Sequence, residues 1–391
     1  MQSDPKHDNR VHAAAPLTPE EMARYARHLT LPQVGAEGQQ KLKAARVLCV
    51  GAGGLGSPAL LYLAAAGVGT LGIVDADAVD ASNLQRQVLH GANDVGRAKT
   101  DSAAERLRAL NPHLSVPLHR VRLTHANALE IFPDYDIILD GTDNFAARYA
   151  ISDACVQLSK PHVYAAVDRF EGQASVFAAV GTDGKRGPCY RCLHPAPPPP
   201  ESMRSCNDAG VLGVLPGLLG LIQATETLKL ILGCGEPLIA RLLLFDALAM
   251  RFREIVLRRN PNCPGCGDTL ALAKISTVTD NMSMVNGIPQ ITPAELKRRL
   301  DAGETLCVLD VREPHEFARA QIGGTLIPLN DLPQRLHELD RSQEIVVHCK
   351  MGGRSQKAAE FLAQAGFTRL HNLAGGILAW SETVDPSVPK Y

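Results

Sequence analysis

The stretch Val47-Leu-Cys-Val-Gly-Ala-Gly-Gly-Leu-Gly56 constrains the fold of this chain more than any other. Val47 to Val50 reads as a buried strand, and Pro58 to Ala66 as a helix. Between them, Gly51, Gly53 and Gly56 stand in G-x-G-x-x-G register. Glycines so spaced let the chain turn sharply and let a phosphate approach the N–H groups that open a helix. A second strand, Thr70 to Val74, ends at Asp75, at the distance where an acidic residue meets a ribose. A charged helix over 98–110 and a strand over 136–139 follow. Strand alternating with helix predicts an α/β fold with a doubly wound, Rossmann-like, mainly parallel sheet. The turn predicts a nucleotide, without saying which.

Charged residues near strand ends bear on that choice. Ser82-Asn-Leu-Gln-Arg86 follows the second strand, Lys99 opens the next helix, and Arg27 could reach the turn. A dinucleotide is served by the turn itself. A triphosphate carries about four negative charges and needs Arg and Lys to neutralise them. Asp143, in Gly141-Thr-Asp-Asn144, could hold the accompanying Mg2+. Any one of these charges alone would read as a solvated face; together they favour ATP over NAD.

At 391 residues, the chain has room for two or three domains of about 150 residues each. With 40 Lys and Arg against 41 Asp and Glu, it lacks the footprint of a general nucleic-acid binder. The uncharged run 209–225 is too short to span a bilayer, and no secretory signal opens the sequence. The expectation is a soluble, cytoplasmic protein without nucleic-acid or membrane partners. Residues 1–17 read as a flexible N-terminus and 18–269 as one domain, opened by Thr18 as N-cap and Pro19 in the first turn. Five prolines within 195–200 predict a stiff, extended loop. A linker is expected over 270–287, and a second, small α/β domain over 288–391, with strands at 307–310 and 344–348 and a helix at 355–365.

Ten cysteines in a chain of this kind suggest metal or thiol chemistry rather than disulfides. Cys189-Tyr-Arg-Cys192 and Cys263-Pro-Gly-Cys266 are two C-x-x-C hooks, and four thiolates so arranged suit a closed tetrahedral Zn2+ site. A redox pair or four inert cysteines are the rival readings. Cys206 follows the proline loop in a polar segment, where a reactive thiol is more expected than a packed one. Cys49, Cys155, Cys234 and Cys307 sit in apolar segments and read as core.

Val346-Val-His-Cys-Lys-Met-Gly-Gly-Arg-Ser355 places Cys349 at a strand end, before two glycines, an arginine and a helix. Successive N–H groups in such a turn form a nest. With Arg354 and the helix N-terminus they would hold a thiolate or an anionic persulfide. Lys350 to Gly353 separate Cys349 from Arg354, one residue fewer than in a phosphatase loop, so the smaller cradle favours a sulfane sulfur.

The motifs GAGGLGS, SNLQRQ, GTDN and RYARH, with Lys99, resemble the ubiquitin-activating-like adenylyltransferases over about 18–267. Most similar are the MoeB/ThiF enzymes that activate small sulfur-carrier proteins. The resemblance implies ATP contacts at Gly54, Asp75, Ser82, Asn83, Leu84, Gln85, Arg86, Lys99, Asp143 and Asn144, with Arg27 supplied across a homodimer interface. It also implies adenylation of a carrier's C-terminal glycine, agrees with zinc, and gives Cys206 a thioester or disulfide step. The Cys349 loop, Asp310-Val-Arg-Glu-Pro-His-Glu-Phe317 and Asn372-Leu-Ala-Gly-Gly-Ile-Leu-Ala-Trp380 resemble a single-domain rhodanese over about 288–385, with Ala320-Gln-Ile-Gly323 where Gly-His-Ile-x is usual.

Adenylation makes a carboxylate electrophilic and a persulfide is a nucleophile, so the two halves together imply thiocarboxylate formation. The expected partners are a small ubiquitin-like sulfur carrier ending in Gly-Gly and a sulfur donor, either a cysteine desulfurase or thiosulfate. The pathway implied is molybdopterin cofactor biosynthesis; thiamine, cysteine or tRNA-thiolation carriers would suit the same chemistry. An NAD-dependent oxidoreductase fused to a rhodanese, and a non-catalytic adaptor for ubiquitin-like partners, are the readings from other classes.

Overall fold

Strand β1, Arg46–Val50, is apolar along nearly its whole length because it is covered on both faces, as a central parallel strand must be. It lies between β2 (Thr70–Val74) and β4 (Ile137–Asp140), both parallel to it, with Val47 opposite Leu71 on one side and Ile137 on the other. The computed structural model describes residues 16–181, 184–197, 210–267, 284–285 and 288–390. These form two compact units, one up to residue 267 and one from 284. Cys206 and most of the expected linker lie outside the described residues.

The first unit is built on an eight-stranded sheet in the order β3-β2-β1-β4-β5-β6-β7-β8. Here β3 is Leu118–His119, β5 His162–Asp168, β6 Glu171–Phe177, β7 Arg241–Asp246 and β8 Arg251–Val256. The five strands from β3 to β5 are parallel; β6, β7 and β8 add on antiparallel. The sequence reading missed β3, β5, β6 and β8. Strand β8 is exposed at every position and mixes Arg251, Arg253 and Glu254 with Phe252, Ile255 and Val256, so no buried-strand pattern marks it.

The helix after the glycine turn begins at Gly56, two residues before the expected Pro58, which occupies the first turn where its missing N–H costs nothing. Thr18 caps Pro19–Arg24 as expected, in a capping box with Glu21. The Val214–Leu232 helix is long and apolar enough to cross a membrane by composition alone. It packs instead on β5, β6 and the Gly56–Ala66 helix through Leu215, Leu219 and Ala224. From its middle, Gln223 Nε2 donates to the carbonyls of Asp140 (2.7 Å) and Val163 (3.1 Å), tying helix to sheet.

The second unit carries a six-stranded sheet, order β12-β11-β13-β14-β10-β9. Its strands are β9 (Met284–Val285), β10 (Ile288–Ile291), β11 (Leu306–Asp310), β12 (Thr325–Leu326), β13 (Glu344–His348) and β14 (Leu370–Leu373). All neighbours are parallel except β9 and β10, so the stretch expected as linker ends in a strand that pairs with this unit.

Candidate functional site

The glycine turn is held by steric necessity at two positions. Gly51 has φ +97°, and a Cβ there would meet the Gly141 carbonyl oxygen at 2.8 Å. At Gly56 a Cβ would lie 2.0 Å from the Gly51 carbonyl oxygen. Gly53 has room for a side chain, with only Gln87 Nε2 near at 3.6 Å. Beside the turn lies a cleft of about 270 Å³ lined by Gly53, Gly54, Asp75, Arg86, Lys99, Asp143 and Asn144. Residues from five separate segments thus meet at the C-terminal ends of β1, β2 and β4, where open α/β sheets bind ligands.

Each has a defined setting. Both oxygens of Asp75 accept backbone N–H groups, from Ala52 at 2.9 Å and Asp77 at 2.8 Å, while burial pushes its pKa up. Lys99 is buried, with Nζ 3.2 Å from Asp77 Oδ2. Arg86 donates to Asn83 Oδ1 at 2.9 Å, and Ser82 Oγ to Asp80 Oδ1 at 2.5 Å. Ser82, Asn83, Leu84 and Gln85 do not line the cleft; they form the turn that carries Arg86 into it. Asn144 spends its side-chain oxygen on the Ala147 N–H, capping the Phe145–Leu158 helix. Asp143 stands exposed and makes no hydrogen bond among the described residues. Arg27 is exposed on the short Ala26–Leu29 helix and does not line the cleft of this single chain.

Sequence reasoning missed the support beneath this cleft. Asp140 is fully buried at the end of β4. Its carboxylate accepts Thr142 N–H at 3.0 Å and Thr142 Oγ1–H at 2.6 Å, and pairs with His162 Nε2 at 3.0 Å. Burial alone would raise its pKa; the His162 and Thr142 contacts outweigh that and hold it low. Asp140 immediately precedes the motif that was recognised, but its partner His162 is 22 residues on and meets it only across the sheet. Gln87, Arg122 and Arg148 also line the cleft.

The two C-x-x-C hooks converge. All four Sγ atoms lie within 4.8 Å of one another, with 3.5 Å between Cys189 and Cys263 and 3.4 Å between Cys192 and Cys266. A zinc ion about 2.3 Å from each of four sulfurs sets them about 3.8 Å apart, so the cluster fits that ion. The Asn260 and Gly265 N–H groups point at the Cys192 and Cys263 sulfurs, at 3.5 and 3.4 Å, as donors to thiolates. Four sulfur ligands would leave no open position, so the ion would pin the chain and take no part in reaction. Cys49 and Cys155 are buried, as expected, whereas Cys234 and Cys307 are half-buried.

In the second unit Cys349 follows β13 and is 2% exposed. Gly352, at φ +99°, turns its N–H onto Sγ at 3.1 Å, which gives the nest one observed donor. Ser355 Oγ lies 3.4 Å from the same sulfur. Arg354, expected to face the sulfur, makes a two-pronged pair with Glu316 at 2.5 and 2.6 Å. That pairing outweighs burial and brings the Glu316 carboxyl down to about 2. The reason lies in the Asp310–Phe317 segment, which brings an acidic side chain to the rim of the loop. Behind the loop, Asp310, Arg312 and His348 are fully buried together, and burial pushes His348 down to about 4.

Residues 25–265 match the ThiF family, and 292–383 match the rhodanese-like domain. The chain belongs to the ThiF family. It is 47% identical over 385 residues to the Mycobacterium tuberculosis protein named probable adenylyltransferase/sulfurtransferase MoeZ, covering 97% of this chain and 98% of that one. The maize adenylyltransferase and sulfurtransferase MOCS3-2 is 44% identical over 94% of this chain and 80% of its own length. The Thermus thermophilus sulfur carrier protein adenylyltransferase is 54% identical over 64% of this chain and 93% of its own, and so matches one part only. Among solved structures, E. coli MccB with ATP superposes with a TM-score of 0.54 at 25% identity, over 62% of this chain and 74% of that one.

Proposed function

We propose that this chain adenylates the C-terminal glycine of a small ubiquitin-like sulfur carrier ending in Gly-Gly, and then converts it to the thiocarboxylate with sulfur carried on Cys349. The product would serve molybdopterin cofactor biosynthesis. The observation that carries the reading is the meeting of Gly54, Asp75, Arg86, Lys99 and Asp143 in one cleft of a chain that also holds the Cys349 loop. The relatives named for both activities, and an MccB structure holding ATP, support it.

In this reading ATP lies across the glycine turn, its ribose toward Asp75 and its phosphates toward Arg86 and Lys99. Asp143, whose carboxylate has no hydrogen-bond partner among the described residues, would hold the Mg2+ that accompanies the triphosphate. The carrier's carboxylate oxygen attacks the α-phosphorus, the bond to the β-phosphate oxygen breaks, and pyrophosphate leaves. Arg86 and Lys99 take up the negative charge that grows on it, with Arg27 added from a second copy in a homodimer.

Cys349 thiolate accepts sulfane sulfur from a cysteine desulfurase or thiosulfate. The outer sulfur of the persulfide attacks the acyl-adenylate carbon and AMP departs, leaving an acyl disulfide. A second thiol, assigned to Cys206, attacks the Cys349 sulfur and displaces the thiocarboxylate; a thiol reductant resets the resulting disulfide. Residues 18–269 would carry the first activity and 288–391 the second.

The test uses the full chain with ATP, Mg2+, thiosulfate, a thiol reductant and a candidate carrier ending in Gly-Gly, followed by intact mass measurement of the carrier. A gain equal to sulfur minus oxygen supports the reading. Absence of both that gain and ATP–pyrophosphate exchange, across carriers of every class, would overturn it.

A further inference from the structure

Behind the glycine turn stands a buried histidine that none of the proposed steps uses. His90 is 7% exposed and does not line the cleft. Its Nε2 lies 3.0 Å from the Ala52 carbonyl oxygen and its Nδ1 2.9 Å from Ser102 Oγ. A carbonyl can only accept, so Nε2 carries a proton. Burial pushes the His90 pKa down, which leaves Nδ1 bare near neutral pH to accept from the Ser102 hydroxyl. Asp94 is a second acceptor beside that hydroxyl. Were the Ser102 proton spent there, the ring would hold a proton on each nitrogen, and Nε2 would still donate to Ala52.

That one hydrogen bond fixes the direction of a peptide group. The Ala52–Gly53 bond is trans, so its C=O and N–H point in opposite directions. Ala52 is fully buried, and its carbonyl faces His90 in the interior. The Gly53 N–H therefore points the other way, and Gly53 lines the cleft. This N–H has no hydrogen-bond partner among the described residues, a free donor where a glycine turn receives phosphate. The other side of Ala52 is held too, since its own N–H donates to Asp75 Oδ2 at 2.9 Å. We propose that His90 is a positioning residue for adenylation, whose Nε2–H holds the Ala52 carbonyl inward and so aims the Gly53 N–H at the phosphates of the nucleotide. The inference rests on the reading that this cleft binds ATP, and names the group that orients its turn.

The same side chain joins the three segments that would meet the triphosphate. Ala52 belongs to the glycine turn. Ser102 sits one turn beyond Lys99 on the Lys99–Leu110 helix. The His90 N–H donates to the Gln87 carbonyl at 3.1 Å, one residue past Arg86. Without the ring's N–H, the Ala52 carbonyl would have no partner in a dry interior, a state that costs more than the bond itself contributes. Rotating the peptide to bring that carbonyl to water would set C=O in place of N–H against the phosphates, an acceptor facing an anion. His90 touches no substrate atom and exchanges no proton in this role.

The measurement is binding of ATP with Mg2+, and separately of adenosine, to the full chain by titration calorimetry. Adenosine offers base and ribose without phosphates, so with the melting temperature it reports whether the cleft is intact. His90→Phe keeps a ring of similar size and removes the donor. ATP affinity should fall about ten- to a hundredfold, the size of one hydrogen bond to a charged group, while adenosine affinity changes less than about twofold. A merely structural loss would weaken both ligands together. His90→Gln places an amide N–H near the Nε2 position and should restore ATP affinity to within about threefold of the parent. Should the Phe variant not fold, Ser102→Ala, which frees only the far side of the ring, should show the same split at smaller size. Equal losses of both ligands, no loss of either, or a Gln variant as weak as Phe would overturn the proposal. An unaltered chain that binds no ATP would overturn the reading of the cleft, and this proposal with it.

Discussion

Two loops in this chain rest on the same foundation and present opposite faces to a reactant. Asp140 ends β4 and Asp310 ends β11; each accepts the N–H of the residue two further on at 3.0 Å. Each also faces a buried histidine on the neighbouring strand, His162 at 3.0 Å and His348 at 3.5 Å. The difference is the residue that each carboxylate captures. Thr142 is small, and the loop beyond it stays open, with Asp143 exposed at a cleft. Arg312 is large and fully buried, grips Asp310 with its guanidinium and donates to the Ala320 carbonyl at 2.7 Å. That strand end is sealed, and Cys349, which follows the adjacent strand, is 2% exposed. The first strand end opens onto a cleft; the second encloses the Cys349 sulfur.

The sharpest way to break this comparison is to remove one reactive group from each loop. Cys349→Ala should abolish thiosulfate sulfurtransferase activity and leave ATP–pyrophosphate exchange intact. Asp143→Ala should do the reverse, lowering exchange by two to three orders of magnitude, about 3–4 kcal/mol of charge stabilisation. Cross-effects in either assay would refute the division of labour.

Next in size is the cysteine cluster. Stripping metal with a chelator, or Cys263→Ser, should lower the melting temperature of the first unit and leave sulfur transfer by the second unchanged. Metal content by elemental analysis should be about one zinc per chain, and a stable metal-free protein would remove the structural role.

The foundation itself is tested by Asp140→Asn, which leaves His162 facing an amide in a dry interior and should cost about 3 kcal/mol of stability. Because the folded Asp140 pKa is held below its unfolded value, the stabilisation it gives is present above the unfolded pKa. It is lost as pH falls through the folded one. The variant should therefore lose most of its difference from the parent in acid, which denaturant melts at two pH values would show.

The smallest effect belongs to the rim. Glu316→Gln should cost no more than about 1 kcal/mol, since Arg354 is partly exposed. That contribution too is full above the unfolded carboxyl pKa and fades only as pH drops toward about 2. Freed from Glu316, Arg354 should lower the KM for thiosulfate; an unchanged KM would mean that the guanidinium does not reach the donor.

Local signals account for what was legible in the chain. Gly51, Gly53 and Gly56 announced a phosphate turn because only glycine tolerates the close approach of Gly51 and Gly56 to backbone oxygens. The strand Glu344–His348 and the Thr18 cap were readable because apolar runs and capping residues act within a few positions. The C-x-x-C hooks were readable as a set because two such pairs supply the four thiolates of a tetrahedral zinc site, whereas a redox role needs only one pair.

Tertiary structure alone decided the rest. That Arg354 pairs with an acid depended on Glu316, 38 residues away. Asp140 gained its meaning from His162, and Ser355 meets Asn372, 17 residues on, only in the fold. Sequence encodes which side chains can ionise or donate; folding decides which of them share a dry space, and in that space each proton has one place to go.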